Sequence, residues 1–377
     1  MSRRPGDIDP SVIRRAVAEL VPYEPGKPVS EVQRERGLEH VVKLASNEGP
    51  FGPFAAAQEA IARASIDLNR YPDGGSWRLG HALAERHGVP FENVTVCSGA
   101  DAVIGYLAMV ALEPADEAIT GWPSFPSYVL DTLKLGGVPV RVPLRDDRFD
   151  LDAILAAITS RTKLVFIAAP NNPTGTTNTR AELESYFARV PPHVLTVVDQ
   201  AYFEYVEDPN YPDAIEEFQK TGSNVLVLRT FSKIFGLAGL RVGYGVGPVD
   251  VITAIGKVRR AFDVSSVGQE AALASLADGA ELARRRVANR EAMAVLHASL
   301  SDRGFEPARP AVANFLFIRV GDAVALNDAL LRQGVIVRPL GPFGAPDALR
   351  ITVGRPDEIA FLAAALDAVA PAVFTGT

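Results

Sequence analysis

Short apolar runs alternate with helix-like stretches over the first two thirds of the chain. Six runs, mostly Val, Ile and Leu, predict strands buried on both faces. They are Val94–Cys97, Glu117–Thr120, Val138–Leu144, Leu164–Ala169, Leu195–Val198 and Val225–Leu228. The last three are spaced by roughly 30 residues, the length of a βαβ unit. The pattern therefore predicts an α/β fold with a mostly parallel central sheet covered by helices.

The helix-like stretch Ser76–His87 places Leu79, Ala82 and Leu83 on one face and is followed by Gly88. Ser76 is the predicted N-cap, and the glycine is the predicted C-terminal stop.

The pattern changes after about residue 270 and predicts a second, smaller α+β domain. A long helical stretch is followed by four short segments and a last helix; in order they are Gln269–Leu300, Asn314–Val320, Val324–Leu331, Val335–Pro339, Leu349–Val353 and Asp357–Val369. The first 45 residues contain five prolines and one helix-like stretch near Ser11–Leu20, which is typical of an arm that lies over a surface and does not join the interior of a sheet. We predict an arm with part of the small domain over 1–45, a large domain over 46–268 and the small domain over 269–377.

Composition and charge argue against several kinds of partner and site. The chain has 377 residues, is 47% hydrophobic and carries a net charge of −7, which favours neither nucleic acid nor an anionic membrane as partner. One cysteine, Cys97, excludes an internal disulfide and multi-cysteine metal sites, and the five histidines lack metal-binding spacing, so no metal is expected. No apolar run approaches the ~20 residues of a membrane span, and no secretory signal is visible, so we expect a cytoplasmic protein.

The candidate binding and catalytic residues come directly after predicted strands, because ligands of open α/β sheets bind at the carboxyl ends of strands. Four segments occupy such positions: Ser98-Gly99-Ala100-Asp101, the loop P-N-N-P-T-G containing Asn172, Asp199 with Tyr202, and Thr230-Phe231-Ser232-Lys233 with Arg241 beyond it. Each alone also fits an ordinary helix cap, a rigid turn or a surface lysine.

Together these groups are the set that pyridoxal phosphate requires. A lysine forms a Schiff base with the aldehyde, and a carboxylate keeps the pyridine nitrogen protonated. Hydroxyl and amide groups bond the ring's phenolic oxygen. An arginine, hydroxyls and a helix N-terminus hold the phosphate.

Five ordered motifs carry a resemblance: K-L-A-S-N-E-G-P-F-G-P, R-Y-P-D-G, P-N-N-P-T-G, V-V-D-Q-A-Y and R-T-F-S-K-I-F-G-L-A-G-L-R-V-G-Y. With them the chain resembles the fold-type I pyridoxal-phosphate aminotransferases (class I/II), and among these the histidinol-phosphate aminotransferase family most. The resemblance runs from P-Y-E-P-G-K-P at Pro22 to L-R-I-T-V-G at Leu349. It implies transamination between an amino donor, such as glutamate, and an oxo acceptor, with histidinol phosphate and 2-oxoglutarate as the expected pair.

The resemblance also implies roles for cofactor residues. Lys233 is the Schiff-base lysine and proton shuttle, Asp199 pairs with the pyridinium nitrogen, and Tyr202 and Asn172 bond the phenolic oxygen. The phosphate is held near Ala100, Asp101, Thr230, Ser232 and Arg241, and Phe125 stacks on the ring, although it also fits a core phenylalanine. Tyr71 reaches the neighbouring subunit's phosphate, which implies a homodimer with shared active sites.

Five residues are implied at the substrate. Arg350 grips the carboxylate of the amino donor, and Arg338 helps to hold the substrate's phosphate; a structural ion pair is the alternative for both. Asn47 and Asn314 match asparagines near the substrate, and Tyr23 belongs to the arm that closes over it.

Some positions depart from the family pattern: Gly49, Gln200 and the segment R-A-F-D-V-S at 260–265, which lies near the substrate in the family. The departures leave the substrate open, and an aromatic amino-acid aminotransferase is the first alternative. A pyridoxal-phosphate lyase or decarboxylase and a non-catalytic cofactor-binding module are the others.

Overall fold

The computed structural model describes residues 9, 12–22 and 26–373, with side chains described up to residue 369. Its strands are β1 (Val42–Lys43), β2 (Val94–Cys97), β3 (Glu117–Trp122), β4 (Val138–Pro143), β5 (Thr162–Ala168), β6 (Leu195–Asp199), β7 (Val225–Thr230), β8 (Gly243–Val246), β9 (Phe315–Arg319), β10 (Val335–Ile336), β11 (Arg338–Leu340) and β12 (Ala345–Thr352). Its α-helices are α1 (Arg15–Ala18), α2 (Val29–Arg36), α3 (Ala55–Ala64), α4 (Trp77–His87), α5 (Ala100–Ala111), α6 (Pro126–Lys134), α7 (Leu151–Ala157), α8 (Arg180–Phe187), α9 (Val249–Val258), α10 (Ser266–Leu276), α11 (Gly279–Ser301), α12 (Ala323–Arg332) and α13 (Pro356–Val373).

A seven-stranded sheet in the order β2-β8-β7-β6-β5-β3-β4 forms the centre of the larger part. The pairs from β7 to β4 are all parallel, whereas β8 runs antiparallel to both β2 and β7. The predicted α/β fold with a mostly parallel sheet is confirmed. All six predicted strands are present, and the parallel arrangement brings the carboxyl ends of β5, β6 and β7 to one edge.

Strand β4 corrects one expectation. It lies at the edge of the sheet, and Val138 is 46% exposed while Val142 is buried. The prediction that this run is buried on both faces was wrong: the strand contains Pro139, Arg141 and Pro143, residues that suit an edge strand facing solvent.

The caps of α4 differ from the prediction at one end. Ser76 has a left-handed backbone (φ 51°), and its side chain does not cap the helix. The carboxylate of Asp73 accepts instead from the backbone N–H groups of Gly75 (2.9 Å) and Trp77 (2.7 Å). Gly88, with φ 60°, ends the helix as predicted.

The long helical stretch predicted over Gln269–Leu300 is two helices, so that expectation was wrong. Between α10 and α11, the Asp278 side chain accepts a hydrogen bond from the backbone N–H of Glu281 (3.0 Å) and starts a new helix.

A second hydrophobic core surrounds the antiparallel sheet β11-β12-β9 and helices α12 and α13. Strand β1 pairs in parallel with β10, and Val42 and Leu44 are buried in this same core. The first 45 residues thus include a short strand, in a two-stranded sheet that has no interior strand. Helix α10 packs against α3, and both contribute to the hydrophobic core around the seven-stranded sheet. The boundaries proposed for the domains stay predictions.

Candidate active site

A cavity lies at the carboxyl ends of β5, β6 and β7. Every residue predicted to contact the cofactor lines it, except Tyr71. Its wall also includes Ile104, Tyr128, Pro170 and Ala201, which the sequence analysis did not single out. The topology thus brings together four segments that are far apart in sequence, as expected for an open α/β sheet.

Asp199 is the last residue of β6 and is buried at the floor of this cavity. Its Oδ2 accepts a hydrogen bond from the Tyr128 hydroxyl (2.7 Å), and its Oδ1 accepts from the Ala201 backbone N–H (3.0 Å). Burial raises the pKa of Asp199, whereas these two donors and the charge of Lys233 lower it. The pKa is raised overall, while the two donors hold the carboxyl group in position and oppose its protonation, as a cationic partner would do further.

Lys233 follows β7 and contributes its side chain to the same cavity. Burial, with the positive charges of Arg350 and Arg241, lowers the pKa of its ammonium to about 8. The Nζ atom lies 5.5 Å from the centre of the Tyr202 ring. An amine with this pKa is available near neutral pH as a nucleophile and as a proton carrier.

Asn47 fixes the Tyr202 hydroxyl. Its Nδ2 donates to that hydroxyl (2.8 Å), and its Oδ1 accepts from the Thr352 hydroxyl (3.0 Å). Asn314 is fully buried and donates to the backbone carbonyl of Asn47 (3.1 Å). Asn47 and Tyr202 both line a second cavity, described below, whereas Asn314 lines neither cavity.

The N-terminus of α5 and Arg241 form an open corner, here called the cradle, whose chemistry suits an anion. Gly99 is the N-cap, with φ 89°, and no side chain caps the helix. A Cβ atom on Gly99 would lie 2.8 Å from Nη2 of Arg241, and one on Gly243 would lie 2.1 Å from the backbone nitrogen of Ala100. Two glycines thus keep this corner open for backbone N–H groups and a guanidinium, and Thr230 and Ser232 line the same cavity.

The segment 260–265, expected near the substrate, supports this cradle and lines neither cavity. Oδ2 of Asp263 accepts from the backbone N–H of Ser98 (2.8 Å). Oδ1 accepts from the Tyr106 hydroxyl (3.0 Å) and from Nε of Arg260 (2.9 Å). The departure of these residues from the family pattern therefore bears on the turn before α5.

A second cavity adjoins the first and contains two buried arginines. Arg338 on β11 and Arg350 on β12 are direct cross-strand partners, and they are 7% and 4% exposed. Arg350 donates to the backbone carbonyl of Ala45 (2.6 Å) and to Oδ1 of Asn172. Lys233 also lines this cavity. The arrangement concentrates positive charge next to the amine, which suits anionic substrates.

Among the described residues, Tyr71 and Asn314 are the predicted site residues that line neither cavity. Tyr71 is 82% exposed and stacks on Phe262, with ring centres 4.6 Å apart. It does not line either cavity. Tyr23 lies outside the residues that the structure describes.

Sequence reasoning missed Tyr128 and Phe343. Tyr128 stands three residues after Phe125 in W-P-S-F-P-S-Y, and this spacing on a helix was the available signal. Phe343 lines the second cavity, with its ring 5.5 Å from the Arg338 guanidinium carbon. Gln200, which also departs from the family pattern, directly follows Asp199 but lines neither cavity. Its Oε1 accepts a hydrogen bond from Arg229 (2.8 Å).

Residues 39–366 match the family described as aminotransferase class I and II. The chain belongs to this family. A histidinol-phosphate aminotransferase of Moorella thermoacetica is 43% identical over 342 residues, covering 90% of this chain and 88% of the relative. Histidinol-phosphate aminotransferase 1 of Cupriavidus pinatubonensis is 44% identical over 357 residues, covering 93% and 94%.

Solved structures agree with this assignment. The crystal structure of histidinol-phosphate aminotransferase from Sinorhizobium meliloti in complex with pyridoxal-5'-phosphate superimposes with a TM-score of 0.87 at 29% identity, covering 95% of this chain and 97% of that one. Aspartate aminotransferase of Thermus thermophilus with maleate gives a TM-score of 0.82 at 24% identity, which supports the fold. The chain is thus an aminotransferase of the pyridoxal-phosphate-dependent class.

The donor set of this chain fits that cofactor. An amine with a lowered pKa, a buried carboxylate and an open helix N-terminus beside an arginine lie around one cavity. Among the described residues, no cluster of His, Cys, Asp or Glu could hold a metal ion. None of the described helices is long and apolar enough to cross a bilayer.

Proposed function

We propose that this aminotransferase uses pyridoxal phosphate to transfer an amino group between histidinol phosphate and 2-oxoglutarate. The observation that carries the proposal is the pairing of Arg338 and Arg350 across two strands, both buried and both facing the cavity that contains Lys233. The relatives named above support the choice of substrate.

The two guanidiniums stand at directly opposite positions of neighbouring strands, so one anionic group between them could contact both. Histidinol phosphate carries a phosphate and no carboxylate, whereas glutamate and 2-oxoglutarate carry two carboxylates. A pair of guanidiniums can hold either kind of substrate through bidentate hydrogen bonds. A single carboxylate, as in phenylalanine, needs only one of them.

The chain's own residues supply the rest of the reaction. The coenzyme, when bound, provides an electron sink for the carbanion at the substrate's Cα. Lys233 would hold it through the amine, and the same Nζ atom then removes and returns the proton at Cα. Asp199 would keep the ring nitrogen protonated, and Tyr202, oriented by Asn47, would donate to the ring's phenolic oxygen. Ala100, Arg241 and the Thr230 and Ser232 hydroxyls would hold its phosphate.

Attachment at Lys233 is tested first. The purified protein with added coenzyme should absorb near the visible range, and borohydride should fix the coenzyme to Lys233. The Lys233→Ala protein should have no measurable transaminase activity. Turnover at a normal rate by this variant would show that the proposed mechanism is wrong.

The substrate is tested with Arg338→Ala. Loss of a charge-assisted hydrogen bond of about 1.5–3 kcal/mol should lower kcat/KM for histidinol phosphate by about 10- to 100-fold and barely change it for phenylalanine. Arg319→Ala is the matched control, because Arg319 lies on β9 of the same sheet and pairs with Asp147 on the surface. An equal loss with both substrates would reject the phosphate role of Arg338.

An aromatic amino-acid aminotransferase is the second candidate. The rings of Phe125 and Phe343 in the second cavity favour it, since they offer apolar contacts to an aromatic side chain. A wild-type protein with higher kcat/KM for phenylalanine than for histidinol phosphate would establish this alternative.

A homodimer and a cytoplasmic location belong to the same proposal. The exposed Tyr71 supports the dimer, because a large aromatic side chain outside its own chain's cavity is suited to contact a second subunit. In that arrangement Tyr71 would complete the phosphate site of the partner.

A further inference from the structure

The floor of the first cavity contains a buried hydroxyl that the mechanism above does not use. Tyr128 is the third residue of α6 and is 1% exposed. Its hydroxyl donates to Oδ2 of Asp199 at 2.7 Å, while Oδ1 of the same carboxylate accepts from the Ala201 N–H. Each oxygen of Asp199 thus has one protein donor, and the orientation of the carboxylate plane is set from both sides.

The ring of Tyr128 has little freedom to move. It stacks on Phe166, with ring centres 4.7 Å apart and planes 9° from parallel. It also meets Phe125 edge-on, at 5.7 Å and 81°. A carboxylate side chain otherwise rotates broadly about its last torsion, so a locked donor fixes an orientation that Asp199 alone would not keep.

The charge state of Asp199 depends on the same contact. Burial raises the pKa of Asp199 and favours the neutral acid, and the hydrogen bond from Tyr128 is the first of the contacts that oppose this shift. Burial also raises the pKa of Tyr128 well above its ordinary value, so its hydroxyl stays protonated and can donate throughout the working pH range.

We propose that Tyr128 is a positioning residue that keeps Asp199 ionised and aligned, and thereby keeps the ring nitrogen of the bound coenzyme protonated. The inference rests on the proposed function, since it requires the coenzyme ring to face Asp199. Without the Tyr128 hydroxyl, the proton shared by the carboxylate and the ring nitrogen shifts toward the carboxylate. The ring is then a weaker electron sink, and proton removal from the substrate slows.

The test is Tyr128→Phe in the holoenzyme, which keeps the ring and its packing and removes only the hydroxyl. Coenzyme labelled with ¹⁵N at the ring nitrogen reports its protonation by NMR, independently of turnover. The matched control is Tyr186→Phe. Tyr186 is fully buried, and its hydroxyl bonds that of Thr196 (3.0 Å), which lies on the same strand as Asp199.

In the Tyr128→Phe protein, the ¹⁵N signal should move toward that of a neutral pyridine. The pH of ring-nitrogen deprotonation should fall by about one unit, equivalent to about tenfold in the protonation equilibrium. For the amino donor, kcat should fall by about tenfold with little change in KM. The Tyr186→Phe protein should keep the wild-type signal.

An unchanged ¹⁵N signal and titration in Tyr128→Phe would overturn the inference, and so would an equal change in Tyr186→Phe. Wild-type protein that bound no coenzyme at Lys233 would instead overturn the proposed function and the inference with it. Melting curves give the temperature below which each variant is folded, and the ¹⁵N signals are compared below that temperature.

Discussion

Replacing Gly99 by alanine should selectively weaken the hold on the coenzyme's phosphate. Gly99 has φ 89°, a conformation that costs a residue with a Cβ atom about 1–3 kcal/mol. The new methyl group would also lie 2.8 Å from Nη2 of Arg241. The exposed guanidinium can swing away, so the chain should still fold, but Arg241 then leaves the cradle. Loss of one charge-assisted hydrogen bond, about 1.5–3 kcal/mol, corresponds to about 10- to 100-fold in Kd.

The assay compares two ligands by titrating the apoenzyme with pyridoxal phosphate and with pyridoxal, which lacks the phosphate. Gly99→Ala should weaken binding of the first and leave the second nearly unchanged. Gly239→Ala is the matched control, because Gly239 lies in the loop before Arg241 and a Cβ atom there meets nothing within 4 Å. Equally weakened binding of both ligands, or unchanged affinity for pyridoxal phosphate, would refute the role of the cradle in binding the phosphate.

Three further predictions concern the surroundings of the site. Arg350→Gln should shift binding of the coenzyme by the apoenzyme to pH values above about 8, because one positive charge that lowers the Lys233 pKa is lost. Arg350→Lys keeps the charge and should bind the coenzyme with the wild-type pH dependence. The same pH dependence in Arg350→Gln and wild type would contradict this electrostatic effect. Asp263→Ala should weaken binding of pyridoxal phosphate, because the backbone N–H of Ser98 loses the oxygen that accepts its hydrogen bond. Asp263→Asn keeps an oxygen acceptor and should retain most of the affinity. Equal losses of affinity in a titration of both variants would argue that Asp263 does not support the turn before α5. Mixing inactive Lys233→Ala protein with Tyr71→Ala protein should restore transaminase activity if the sites are shared between subunits, and no gain after subunit exchange would exclude sharing.

Six strands of the central sheet could be predicted because their apolar runs are local features of the sequence. Val94–Cys97 and Leu195–Val198 are apolar runs, and both are strands in the structure. Strand β8 could not be found in this way, since its residues Gly243 and Gly245 have no side chains to give an apolar pattern. The division of the long helical stretch at Asp278 depends on a capping bond that alanine-rich flanks conceal.

The residues of the candidate site likewise include some that the local sequence predicts and some that it does not. Lys233 and Asp199 stand directly after predicted strands, so topology alone places them at one edge. The contacts of Tyr128 and Asp263 join residues 71 and 165 positions apart. Such partners depend on how α6 and the segment before α10 pack, which no local pattern reveals.

The spacing between the two cavity arginines depends on a hairpin turn. Arg338 and Arg350 face each other only because β11 and β12 pair in one register, with an irregularity after Pro339 and a short turn over Gly341–Phe343. Turn length sets the register of a hairpin, and a slip by one residue would turn one of the two guanidiniums to the opposite face of the sheet. Tolerance to different substrate lengths can therefore change through insertions or deletions in this turn, even where both arginines are kept.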